Sequence, residues 1–128
     1  MEGYKATVEY VSTALNVRDK IKFKDTSDAV GIDVALSTLE SLVLNIDYYG
    51  VLNIHNEKAE GDKDYRTYIF VDTEGNKYYT GSESVWSSFE DIMDELNQEG
   101  EEEIPPIKFY KLESKNYKGK YFLTCSIA

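Results

Sequence analysis

A chain of 128 residues, 41% of them hydrophobic, carries enough apolar surface for one folded domain, which excludes wholesale disorder. No apolar run approaches the ~20 residues of a membrane span, and Met1-Glu2-Gly3-Tyr4 lacks the basic start and apolar stretch of a secretory signal. The expectation is a cytoplasmic protein without a membrane partner. Its net charge of −10 disfavours a polyanionic ligand unless charge is segregated, whereas eleven tyrosines suit ring stacking or an adhesive interface.

In chain order, the mixed pattern from Lys5 to Val11 reads as a strand. From Val17 to Lys24, Lys20, Lys22 and Lys24 alternate with Ile21 and Phe23, the period of a half-buried strand. Asp25-Thr26-Ser27-Asp28 is turn chemistry, because these short polar side chains bond nearby backbone. Leu42 to His55 reads as one long strand, with Leu42, Leu44, Ile46, Tyr48, Leu52 and Ile54 on one face and Tyr49 opposite them. Gly50 inside it predicts a bend or bulge. After a polar loop, Tyr65 to Asp72 alternates again, with Arg66, Tyr68 and Phe70 opposite Thr67, Ile69 and Val71. By phase, Tyr48 and Tyr65 fall on the core side.

Asp72-Thr73-Glu74-Gly75-Asn76 predicts a hairpin turn into a short strand through Tyr78 and Tyr79. The period then changes. Val85, Phe89, Ile92, Met93 and Leu96 recur at helical spacing, with Ser82 or Ser84 as N-cap and Gly100 as stop. Pro105-Pro106 blocks continuation, and strands follow at Ile107 to Leu112 and Tyr121 to Ile127. The fold class is mostly β. From residue 42 the order is three strands, a helix and two strands, the order of an OB-fold, a five-stranded Greek-key barrel with one helix between strands three and four. The expected organisation is a single domain, residues 1–128, with a core from about 42 to 128 and an N-terminal β extension over about 1–36.

Charge is segregated. Between Glu83 and Glu103 there are nine acidic residues and no basic one. From Ile104 onward there are five lysines against Glu113, and from Val17 to Lys24 four cations against Asp19. With a Debye length of about 8 Å at physiological salt, a strand across the molecule feels little of the acidic helix. Non-specific binding of single strands calls for open rings on a sheet, each stabilising a base by roughly 1–3 kcal/mol, beside cations for phosphate. Tyr49, Tyr68, Tyr78 and Tyr79 lie on three consecutive strands, with Arg66 beside Tyr68. Tyr117 lies among Lys115, Lys118 and Lys120 in the last loop, and Lys20, Lys22 and Lys24 supply a further basic strip.

No catalytic signature stands out. His55 is the sole histidine, Gly81-Ser82-Glu83-Ser84 is not a nucleophile elbow, and no phosphate loop or HExxH occurs. Asp72-x-Glu74-Gly75-Asn76 lacks EF-hand spacing and reads as a turn. The single cysteine, Cys125, alternates with Leu123 and Ile127 as a small buried hydrophobe. No enzyme activity, metal or cofactor is expected.

Three stretches carry a resemblance. They are Thr67-x-Ile69-Phe70 followed by the acidic turn with Gly75 and then Tyr78; Ser82 through Asp91-Ile92-Met93-Asp94-Glu95-Leu96; and Lys108-Phe109-Tyr110 with Ser114-Lys115, Lys118-Gly119-Lys120 and Phe122. Across about residues 65–128 the chain resembles the single-stranded DNA-binding proteins of tailed phages and related mobile elements, particularly those of protein-primed replication. Those proteins are also acidic overall. The resemblance implies coating of single-stranded DNA, with Tyr78 stacking on bases and Lys115, Lys118 and Lys120 on the backbone. It further implies the host cytoplasm as the compartment and replication or recombination proteins as partners of the acidic segment 85–103. The alternative reading is an acidic protein-binding module, such as a DNA mimic that inhibits a host DNA-binding protein.

Overall fold

The computed structural model describes residues 4–58, 61, 63–113 and 119–128. Its elements are β1 (Tyr4–Val11), α1 (Val17–Lys24), β2 (Val30–Gly31), α2 (Ile32–Ala35), β3 (Ser41–Leu44), β4 (Ile46–Asn56), β5 (Asp64–Asp72), β6 (Lys77–Thr80), α3 (Glu83–Gln98), β7 (Ile107–Glu113) and β8 (Tyr121–Ile127). They form a five-stranded sheet in the order β1-β4-β5-β6-β2 and a three-stranded sheet in the order β3-β7-β8. The chain is therefore mostly β, as expected. The two sheets are open, and no pairing among the described residues closes them into a barrel. The β6 edge that closure would use is taken by β2, in parallel register.

Residues 4–36, expected as a β extension, contribute two strands and two short helices. A sheet of β4, β5 and β6 alone would expose two rows of unpaired backbone groups. The N-terminal segment supplies both missing edge strands, β1 against β4 and β2 against β6, together with two short helices.

The stretch expected as one strand from Leu42 to His55 is divided between the sheets. At Asn45 the chain leaves β3, and the Asn45 carbonyl accepts from the Thr73 N–H at 2.9 Å. A bulge between Ile46 and Tyr48 then shifts the pairing with β5. One extra residue reverses the phase of everything after it. Leu42, Leu44 and Ile46 thus point into the core that α3 fills, while Tyr48, Leu52 and Ile54 point to the other side of the large sheet.

Both faces of the large sheet are covered in consequence. On one face Val51, Tyr68 and Phe70 pack with Val85, Phe89 and Met93 of α3 and with Ile107, Phe109, Leu123 and Cys125 of the small sheet. On the other, Ala6, Leu52, Ile54, Ile69 and Val71 pack with Phe23 of α1. Gly50 is where α1 lands. A Cβ there would sit 2.3 Å from the Tyr10 carbonyl oxygen and 2.7 Å from Phe23 Cζ, so only glycine admits the helix.

The segment Val17–Lys24 is thus a helix and not a strand. Asn16 caps it, its side chain accepting from the Asp19 N–H at 2.8 Å, with Asp19 in the first turn and Lys22 and Lys24 in the last, where each complements the helix dipole. The ammonium of Lys77, its side chain 9% exposed, donates to the carbonyls of Lys22 and Asp25 and holds the C-terminal end of α1 to the sheet.

Local signals behave as read elsewhere. The Asp72 carboxylate accepts from the N–H groups of Glu74 and Asn76 at 3.0 and 2.8 Å, so its oxygens serve the hairpin turn. Ser82 caps α3 by accepting from Val85 N–H. At its other end, Gly100 at φ 76° lets the Glu101 N–H reach Leu96 O and its own N–H reach Asn97 O, a Schellman closure.

Candidate nucleic-acid interface

The tyrosines expected to lie open on the large sheet are largely under cover. Tyr68 is 0% exposed and stacked on Trp86, ring centroids 4.8 Å apart and planes within 7°. The face on which a base would stack is occupied by the indole. Burial and the Glu83 carboxylate nearby push the Tyr68 phenol well above its usual range, and its hydroxyl meets no hydrogen-bond partner. Tyr49 packs edge-on to Phe89 at 4.7 Å and beside Trp86 and Tyr10; burial first, then Tyr10, pushes its phenol up to about 12. Tyr78 is half-buried against the α3 core, its phenol raised by burial and then by Asp72 and Glu74. Tyr79 is half-buried on the opposite face, its ring closing on Gly31. Tyr48 lies on that face as expected, whereas Tyr65, at the start of β5, is exposed.

Trp86 was the missed residue. It adjoins Val85 and Phe89 on the apolar stripe of α3 and widens that stripe over the sheet. The available signal was β5 itself, where Tyr68-Ile69-Phe70-Val71 is apolar in both phases, the mark of a strand covered on two sides.

The expected cations are not brought together either. Arg66 is ion-paired with Glu9 at 3.1 Å, and Glu9 also accepts from Asn53 across β4. Lys20, Lys22 and Lys24 distribute around α1 and lie on the side of the large sheet opposite α3. Lys115, Tyr117 and Lys118 lie outside the described residues. Lys120 is exposed at the start of β8.

One surface does combine open rings with cations. Along β7, Ile107 and Phe109 are fully buried, so Lys108, Tyr110 and Leu112 project to the outer face of the small sheet. Register sets Val43 of β3 beside Lys108, and Phe122 of β8 beside Leu112. Lys108 Nζ lies 5.0 Å from the Tyr110 ring centroid, a cation–π contact. Phe122 is 43% exposed and its neighbour Tyr121 63%. Lys111 and Lys120 flank the hairpin, against the single carboxylate of Glu113, which accepts from the Gly119 N–H. This face lies opposite the buried side of the small sheet, although Thr124, the cross-strand partner of Tyr110, is buried and its hydroxyl meets that of Ser88 in α3 at 3.2 Å.

The hollow beside α1 is predominantly acidic, lined by Asp25, Asp28, Asp47, Asp72 and Glu74, with Lys77 already engaged. His55 is held between Asp64 at 2.7 Å and Glu57 at 2.6 Å, which raise its pKa, the Asp64 bond most. Cys125 is buried with its thiol pushed up to about 11, and its Sγ–H points to Val85 O at 3.6 Å. That is the environment of a packed hydrophobe and not of a thiolate nucleophile. No helix among the described residues is long and apolar enough to cross a membrane.

The chain matches no protein-family model, no curated protein and no solved structure.

Proposed function

We propose that this protein is a non-enzymatic single-stranded DNA-binding protein, and that strands lie on the outer face of β3-β7-β8 and not across the tyrosines of the large sheet. The reading is supported most by one observation: Lys108 rides on the half-buried Tyr110 ring on a sheet face that also carries the exposed Phe122. A base stacked on Tyr110 would displace the Lys108 ammonium from the ring and leave it to pair with the adjoining phosphate. The sheets' connectivity, β3/β4 with β5, β5 with β6, and β3 with β7 and β8, follows the strand pairing of an OB-fold without its closing pair, which supports relating this chain to the phage and mobile-element proteins.

The test is the anisotropy of a labelled oligo-dT titrated with wild-type and substituted chains. Tyr110→Ala and Phe122→Ala should each weaken binding by about 5- to 150-fold, the loss of one stacked base. With about three to five phosphates neutralised, log K should fall with log salt at a slope of roughly −2 to −4. Unchanged binding in both variants would refute this surface, and no binding by the wild type would refute the function.

A second reading, an acidic protein-binding module or DNA mimic, is favoured by a separate observation. All nine carboxylates from Glu83 to Glu103 are exposed, and none forms an ion pair among the described residues. Under that reading oligo-dT leaves the chain unbound, and a basic DNA-binding protein captures it.

A further inference from the structure

Two unpartnered surfaces complement each other without being able to meet within one chain. On α1, Phe23 faces the sheet, so Val17, Lys20, Ile21 and Lys24 form the outward stripe, with Arg18 and Lys22 at its flank. Val17 and Ile21 are 75% and 63% exposed, an apolar pair one turn apart in a ring of four cations that form no ion pair among the described residues. Against the other side of the large sheet, Ile92 and Leu96 of α3 and Ile127 of β8 floor a groove of about 550 Å³. Its rim is Asp91, Glu95, Glu99 and Glu101. The groove is large enough for two aliphatic side chains, and its rim has the charge that the flank of α1 lacks.

We infer that α1 of one copy docks into the α3–β8 groove of a second copy, with Val17 and Ile21 on the apolar floor and Arg18, Lys20 and Lys24 against the carboxylate rim. Because α1 and the groove lie on opposite sides of one sheet, the contact is head-to-tail. A contact of this type uses different patches on the two partners and leaves one of each free, so it repeats into open chains unless the rotation closes a ring. The outer face of β3-β7-β8 is not consumed by it. The inference stands on these two surfaces alone and holds whether or not that face binds DNA.

Sedimentation velocity on the whole chain, free of nucleic acid, tests it. Near 0.01 M ionic strength, where the Debye length is about 30 Å, the weight-average mass should grow with concentration past that of two chains and fall back as salt is added. Arg18→Glu with Lys20→Glu should weaken association at least about tenfold, as should Glu95→Lys with Glu99→Lys. Each pair places charge where its helix dipole accepts it, so folding is spared. Each variant retains the surface that the other has lost, and the two reversed surfaces are themselves of opposite charge, so an equimolar mixture should regain the association that each variant alone has lost. A wild type that stays monomeric, or variants that associate as it does, would overturn the inference. So would a monomeric chain whose α1 binds anionic vesicles, which assigns that stripe to a membrane surface.

Discussion

The large and the small sheet carry similar aromatic strands and use them oppositely. In β5 both phases are apolar, so Tyr68 and Phe70 face α3 while Ile69 and Val71 face α1, and the one ring of the strand that stays exposed is Tyr65 at its start. In β7 only one phase is apolar; Ile107 and Phe109 are buried and Tyr110 keeps a face beside Lys108. An abundance of tyrosine is therefore no measure of stacking surface. What matters is whether a second layer lies over the strand: α3, with Trp86 at its edge, lies over the large sheet, whereas it touches the outer face of the small one only at Thr124.

This contrast is broken most severely by truncation. Tyr68→Ala should cost about 3–5 kcal/mol in urea unfolding, because it empties a stacked core site, whereas Tyr110→Ala, at a half-buried ring, should cost only about 1 kcal/mol and act on DNA affinity as well. If the two costs were alike, the division between core and surface rings would be wrong. Gly50→Ala should cost about 1–3 kcal/mol, since the added methyl collides with Tyr10 and Phe23 and lifts α1 from the sheet. The same urea titration reads it out, and a neutral result would mean that α1 does not rest there.

Tyr68→Phe sharpens the comparison from the opposite direction. It deletes a buried hydroxyl without a partner, so stability should stay level or rise by up to about 1 kcal/mol. A large loss would show that the hydroxyl bonds after all. The smallest effect belongs to His55 at the exposed end of β4. Its pKa is raised in the folded chain by Asp64 and Glu57, so its contribution is complete below the unfolded value of about 6.5 and disappears as pH rises through the higher folded value. An NMR titration of the imidazole should show a midpoint above 6.5 that drops in Asp64→Asn with Glu57→Gln.

Much of the secondary structure was legible because its causes are local. The Asp72 turn, the Ser82 cap, the 3.6-residue stripe of α3 and the strands after Pro105-Pro106 depend on neighbours a few residues away. The strand expected at 17–24 shows where such signals run short. Five alternating residues, Lys20 to Lys24, suit either period, and it is Phe23 meeting Gly50 and Lys77 holding the helix end that choose the helix. In the N-terminal segment the strand at Lys5 to Val11 was legible, but its pairing with β4, and that of β2 with β6, depends on edges made far downstream. For the site, the lysines and rings of the last hairpin were visible in sequence, but Tyr110 and Phe122 were passed over for the tyrosines of the large sheet.

By itself, then, the amino-acid order determined the strands of the central hairpin, the helix α3 and the closing hairpin, the turns between them, and that acidic and basic residues occupy separate stretches. Only the tertiary structure decided which faces are open. A strand's two sides are equivalent until something packs on one, and a single bulged residue at Asp47 exchanges them for the rest of β4. Long-range packing of α1 and α3 on opposite faces therefore buried Tyr68 completely and left Tyr110 only half-buried, an outcome that no local pattern encodes.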